Sequence, residues 1–262
     1  MYKIVFCDID GTLLNSKLVV TPKTRESVLA LQEKGVKFVI ASGRSPSGIY
    51  PIMDKNGFHF PMVTCSGALI LDENRKTVYE NGIDISTVRR LINYIESERL
   101  KATWCIYTGD EWYVKDKSDP KVIREEEIIE SYALEGTVDS VGGATVHKLL
   151  CICDPGGSAE VDKKTSAAFP EVNAVRSSDI LVEIMNRGVN KAESVKLFCR
   201  HLGIAPEEAV AIGDNYNDIE MLEAVGLGVV MGNAPEEIKR RFSFITDDFD
   251  HDGVASALEK LI

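Results

Sequence analysis

The sequence predicts an α/β fold built on a doubly wound parallel sheet and interrupted by an inserted α+β domain. Three observations predict it. Short apolar runs alternate with helical stretches over residues 1–82, the pattern of strands joined by crossover helices. Hairpin-like pairs replace that pattern over residues 83–186, and strand–helix alternation returns over residues 187–262.

Taken in order, residues 2–7 are apolar and β-prone, a buried parallel strand that runs straight into Asp8-Ile9-Asp10-Gly11-Thr12. Thr21 caps a helix with Pro22 in its first turn, and Gly35 stops it after Lys34. Residues 36–41 form a second buried strand with Ser42-Gly43-Arg44 at its carboxyl end, and Ser45-Pro46 opens a helix that ends near Gly57. Residues 62–65 make a third strand, followed by Ser66-Gly67, and residues 69–71 and 77–80 form a hairpin around Asp72-Glu73-Asn74. Beyond Gly82, Ser86 is the expected cap of a helix reaching residue 98. Residues 102–107 and 111–115 pair across Thr108-Gly109-Asp110, and Asp119-Pro120 opens a charged helix. A strand at 146–153, a helix at 159–168 and a pair at 172–176 and 180–185 complete the insert. This succession predicts helices on one face of a mainly antiparallel sheet. Lys191 then opens a helix to Leu202, closed by Gly203, and residues 209–212 form a fourth buried strand ending in Gly213-Asp214-Asn215-Tyr216-Asn217-Asp218. A helix to Ala224, a strand at 227–231, a helix from Pro235, an edge strand at 244–245 and a helix at 254–261 follow.

Composition narrows the function. Of 262 residues, 44% are hydrophobic, enough for real cores. Lys and Arg number 30 against 41 Asp and Glu, a net charge of −11, so the chain lacks the basic footprint of a nucleic-acid or anionic-membrane binder. No apolar run approaches the ~20 residues of a membrane span, and with no charged n-region ahead of a long apolar run no signal peptide is expected. The six cysteines stand in apolar contexts without zinc-site spacing; buried reduced thiols and a cytoplasmic location are expected.

Ligands of open α/β sheets bind beyond the carboxyl ends of the strands, where Asp8, Asp10, Ser42, Ser66, Asp214, Asn217 and Asp218 all fall. If the first strand stayed extended through Asp10, both of its acids would point to one side and would need a cation or a proton between them. Asp8 and Asp214 offer hard oxygen donors, which with a carbonyl near Asp10 and waters suit Mg2+. Ser42 adds a neutral donor and Lys191 a positive charge, so the set describes a phosphoryl site. A carboxylate there can attack phosphorus, and a second can move protons.

Asp8-Ile9-Asp10-Gly11-Thr12-Leu13, Ala41-Ser42-Gly43-Arg44, Lys191 and Gly213-Asp214-Asn215-Tyr216-Asn217-Asp218 resemble the four motifs of the haloacid dehalogenase-like superfamily. Gly232-Asn233-Ala234 and Asp252-Gly253-Val254-Ala255 extend the match, and the insert of about a hundred residues looks like the cap of the Cof-type phosphatases. The resemblance implies a Rossmann-like core over 1–82 and 187–262, with 83–186 as a cap controlling substrate access. It implies Asp8 as nucleophile and Asp10 as general acid/base, with Mg2+ held by Asp8, the Asp10 carbonyl and Asp214. Asn217 and Asp218 would support metal and phosphate. Ser42 and Lys191, with backbone N–H groups at Ile9 and Gly43, would hold the phosphoryl oxygens, and Arg44 would add positive charge near the substrate. The chain departs from the pattern at Ser66, where many relatives carry Asn, and at Ala192, where many carry Gly.

The expected activity is hydrolysis of small phosphorylated metabolites, sugar phosphates first, with neither nucleic acid nor membrane as partner. Two alternatives stay open: a phosphomutase or phosphotransferase of the same superfamily, and a non-enzymatic phospho-accepting switch, against which Asp10 and the large cap speak. Trp104, Trp112 and Tyr113 read as core, and His147 has no evident partner. Oligomeric state has no signature in the sequence.

Overall fold

Every apolar run expected to be a strand hydrogen-bonds into one of two sheets. The computed structural model describes residues 2–261. In chain order its elements are β1 (Ile4–Cys7), α1 (Pro22–Glu33), β2 (Lys37–Ala41), α2 (Tyr50–Asn56), β3 (Met62–Thr64), β4 (Leu69–Leu71) and β5 (Thr77–Glu80). Then come α3 (Ile85–Ser97), β6 (Ala102–Thr108), β7 (Glu111–Val114), α4 (Pro120–Ile129), β8 (Leu134–Glu135), β9 (Lys148–Cys153), α5 (Ser158–Ala168), β10 (Val172–Arg176) and β11 (Leu181–Asn186). The chain closes with α6 (Lys191–Leu202), β12 (Ala209–Gly213), α7 (Ile219–Glu223), β13 (Leu227–Val230), α8 (Glu236–Lys239), β14 (Phe244–Ile245) and α9 (Gly253–Leu261).

The first sheet runs β14-β13-β12-β1-β2-β3-β4-β5. Strands β14 through β3 are parallel and β4 turns back antiparallel on β3. All of β1 is buried, as a strand covered on both faces must be, which accounts for its unbroken apolar run. Cys7 lies opposite Ile40 of β2 on one side and Ile212 of β12 on the other. The strand order reverses direction between β1 and β12, so the topological switch point lies where the motif-bearing strands end.

Two compact units emerge. One comprises residues up to Gly43, Ile52–Val78 and the chain from Asn190 onward; the other comprises Arg44–Pro51 and Tyr79–Val189. The stretch Arg44–Pro51, which the sequence suggests belongs with the first unit, groups with the second, where Gly48 packs against Ile129 of α4. The helix expected from Ser45 is broken: a 3-10 turn covers Pro46–Gly48 and α2 begins only at Tyr50.

The second unit holds a sheet of order β10-β11-β9-β6-β7-β8, antiparallel except for the β7–β8 pair. Its helices do not share one face as expected. Helices α3 and α5 pack on Trp104, Ile106, Leu149, Cys151, Val182 and Ile184. Helix α4 instead brings Val122 and Ile129 to the other face, against Cys105, Tyr107, Trp112, Leu150 and Ile152. The reason is legible in β9, whose sequence Lys-Leu-Leu-Cys-Ile-Cys is buried at every position and therefore needs cover on both sides. Helix α3 is capped by Asp84, which accepts from the Thr87 N–H; Ser86 sits inside the helix and donates to Asp84. Trp104 and Trp112 are core residues. His147 does have partners: Nδ1 accepts from the Gly109 N–H at 3.1 Å, and Nε2 lies 3.3 Å from Glu80.

All six cysteines are buried thiols outside any disulfide. Among the described residues no helix is long and apolar enough to cross a membrane.

Candidate active site

Asp8 follows the last residue of β1, and its N–H donates to Ile212 O at 3.0 Å, so it is fixed between β1 and β12. Only 5% of Asp8 is exposed. The chain then leaves the strand: Ile9 is fully buried, and its carbonyl accepts from Thr12 N at 3.3 Å and Leu14 N at 3.0 Å. In this tight loop Asp10 is exposed where Asp8 is buried, and the Asp10 charge still acts on both Asp8 and Asp214. Gly11 has φ +83°, and a Cβ there would run into the Asp214 carboxylate; only glycine permits this approach.

Asp214 lies just past β12. Its Oδ1 accepts from Thr12 Oγ1 and its Oδ2 from Asn233 Nδ2, each at 3.1 Å. Asp218, fully buried, accepts on Oδ2 from the N–H groups of Asp214 and Asn215, both at 3.1 Å. Lys191 donates to Asp8 Oδ1 and to Asp218 Oδ1, 2.6 Å each, with 2% of the residue exposed. It is the first residue of α6, whose cap Asn190 accepts from Glu193 N. A lysine at a helix N-terminus faces the unfavourable end of the dipole, so the two carboxylates, not the helix, hold its charge in place.

The electrostatics follow from this crowding. Burial, then the neighbouring Asp218 carboxylate, pushes the Asp8 carboxyl well above the usual range. Burial and Asp218 likewise push Asp214 up to about 7. Burial alone would lower the Lys191 ammonium, but the Asp218 and Asp8 carboxylates outweigh it and keep the charge. Asp8, Asp214 and Asp218 each bring a carboxylate oxygen within 4.8 Å of the others. Three negative charges against one ammonium leave a deficit of two, which a divalent cation would cancel. The donors are hard oxygens of the type Mg2+ prefers, so the residues fit that ion. Asp218 is the most fully engaged of the three, which leaves Asp8 and Asp214 the better donors.

Ser42 is buried at the end of β2, the strand beside β1; its N–H donates to Val63 O at 2.9 Å and its carbonyl accepts from Ser66 N at 3.0 Å. Gly43 follows it at the same edge, and Asn217 is half-buried in the 3-10 turn Tyr216–Asp218. Ser66 stands in a turn where Cys65, Ser66 and Gly67 have φ of 50°, 55° and 109°, a left-handed run that the sequence did not announce. Arg44, 9% exposed, donates to Gly48 O at 3.2 Å within the second unit. The fold thus brings Asp8, Lys191, Asp214 and Asp218 into direct contact, with Ser42 and Gly43 on the adjoining strand end. Thr12 and Asn233 were not foreseen in the site; the motif Gly232-Asn233-Ala234 was visible, but not what its amide touches.

Residues 5–258 match a family model for haloacid dehalogenase-like hydrolases. A Haemophilus influenzae protein with a provisional phosphatase name is 34% identical over 262 residues, covering 99% of this chain and 98% of its own. A solved haloacid dehalogenase-like hydrolase from Bacteroides thetaiotaomicron superposes with a TM-score of 0.90 at 31% identity, with 100% of both chains covered. The subclass IIB sugar phosphatase BT4131 gives 0.85 at 23% identity over 99% of this chain and 98% of that one, a likeness of fold.

Proposed function

The chain belongs to the haloacid dehalogenase-like hydrolases, and from that premise we propose that it is a Mg2+-dependent phosphatase of small phosphorylated metabolites, working through an aspartyl-phosphate on Asp8. The observation that carries the reading is the Lys191 ammonium, held at 2.6 Å between Asp8 and Asp218 within a three-carboxylate cluster at the switch point of the sheet.

Asp8, the Asp10 carbonyl and Asp214 would hold Mg2+, with Asp218 keeping Lys191 and the Asp214 loop in place. Bound there, the cation supplies Lewis-acid neutralisation of phosphoryl charge. Lys191 favours ionised Asp8, the form that attacks phosphorus. As the Asp8–phosphorus bond forms, the bond to the leaving oxygen breaks and Asp10 delivers a proton to that oxygen. Asp10, now a carboxylate, takes a proton from water, whose oxygen attacks the aspartyl-phosphate and releases inorganic phosphate. The exposure of Asp10 beside buried Asp8 suits this division: one acid is shielded to act as nucleophile, the other reaches solvent to exchange protons. Ser42 and the N–H groups of Ile9 and Gly43 hold phosphoryl oxygens, with Asn217 at the neighbouring strand end. Substrate selectivity we assign to the second unit, including Arg44, with sugar phosphates the first class to screen.

Turnover of an aryl phosphate with and without Mg2+ tests the reading. Asp8→Asn is expected to lose at least about a thousandfold in kcat, since no second nucleophile replaces it. Asp10→Asn is expected to accumulate phosphoenzyme from a good leaving group and release phosphate slowly. Wild-type turnover by either variant rejects the role assigned to that residue.

A further inference from the structure

We infer that Asn233 is a positioning residue of this site, setting the Asp214 carboxylate and the backbone after Asp10 for the cation; the inference rests on the metal reading just given. The carboxamide engages both of its N–H donors and its oxygen. Nδ2 donates to Gly11 O at 2.9 Å and to Asp214 Oδ2 at 3.1 Å, while Oδ1 accepts from Phe249 N at 3.2 Å. The Phe249 N–H fixes which end of the amide is oxygen, and the two acceptors on the other side agree with that choice.

The placement has a chemical logic. Thr12 Oγ1 donates to the other oxygen of Asp214, so each oxygen of that carboxylate is oriented by one neutral donor. The donors come from different parts of the chain, the loop after β1 and the loop after β13. A neutral amide orients a carboxylate while leaving its charge for a cation, where a lysine would offset that charge. The same amide ties down the Gly11 carbonyl, one residue beyond the Asp10 carbonyl assigned to the metal.

The loop that presents Asn233 is clamped from the opposite side. Gly232 N–H donates to Asp247 O at 3.1 Å, and Lys239 Nζ donates to Gly232 O at 3.1 Å. A Cβ on Gly232 would come within 2.8 Å of Asp248 N, so the loop cannot lift without breaking these contacts. Groups that orient metal-binding side chains in this way are worth about ten- to a hundredfold in metal affinity.

The test is calorimetric titration of Mg2+ into metal-stripped parent, Asn233→Ala, Asn233→Ser and Lys239→Met, with circular-dichroism melts recorded in EDTA. Lys239→Met loosens the same loop without touching Asp214 and so isolates a merely structural effect. Both Asn233 variants are expected to bind Mg2+ about ten- to a hundredfold more weakly than the parent. Lys239→Met is expected to melt lower but to keep its Mg2+ affinity within about twofold, because the Asp214 donors are intact. Parent-like affinity in the Asn233 variants overturns the inference, as does an equal loss in Lys239→Met. The serine variant decides if the alanine variant does not fold. A parent that binds no Mg2+ overturns the metal reading itself, an outcome separate from the first two.

Discussion

At the scale of single residues the site is a problem in crowded charge. Asp8, Asp214 and Asp218 share one ammonium, and without a cation the cheapest relief is a proton. Asp214 is raised from 3.8 to about 7, so between those values the folded protein keeps a proton that the unfolded chain has released. In EDTA, stability contributed by this proton is complete below about pH 4 and is lost as pH rises through about 7. Asp8, raised by burial, acts in the same direction. Urea unfolding between pH 4.5 and 8 checks this, with Asp214→Asn as the reference that removes this carboxyl and its effect on Asp8. Relative to that reference, the metal-free parent is expected to lose on the order of 1–4 kcal/mol across the range, and saturating Mg2+ to abolish the trend. A parent that gains stability relative to Asp214→Asn over this range would mean that the cluster is ionised without metal.

At the scale of elements, the site depends on where strands and helices stop. Helix α6 begins at Lys191 because Asn190 caps it. Asn190→Ala is expected to cost about 1 kcal/mol of stability and to lower kcat, since the lysine loses its fixed start; Asn190→Asp, which caps as well, should restore stability. Chemical denaturation and steady-state kinetics measure the two effects separately. The loop after β1 is equally constrained. Its glycine has to be glycine, because φ +83° and the Asp214 carboxylate leave no room for a side chain. That constraint is written in the motif Asp8-Ile9-Asp10-Gly11-Thr12, yet the exposure of Asp10 beside buried Asp8 is not, because a strand and a loop are equally compatible with two acids flanking one apolar residue. The same limit applies to the second sheet. The unbroken apolar run of β9 required cover on both faces, but only packing showed that α4, and not α3 or α5, provides it on the side of Tyr107 and Trp112.

At the scale of the whole molecule, chemistry and selectivity are assigned to different parts of the chain. Replacing Tyr79–Val189 by the corresponding segment of a relative with another substrate is expected to move the substrate preference and to leave Mg2+ affinity near the parent value. A metabolite panel and calorimetry read these outcomes, and an unchanged preference would return selectivity to the first unit. The sequence by itself determined the order of most strands and helices, the positions of the four motifs and several element ends, Thr21, Asp119 and Gly203 among them, because those depend on local propensity and on apolar periodicity. Only tertiary structure decided which of those groups touch. Lys191 meets Asp8 across 183 residues and Asp218 across 27 because β1 and β12 are neighbours. Asn233 meets Gly11 across 222 residues because the loops after β1 and β13 reach one edge. Contacts of that range are set by sheet order and burial, which no window along the chain contains.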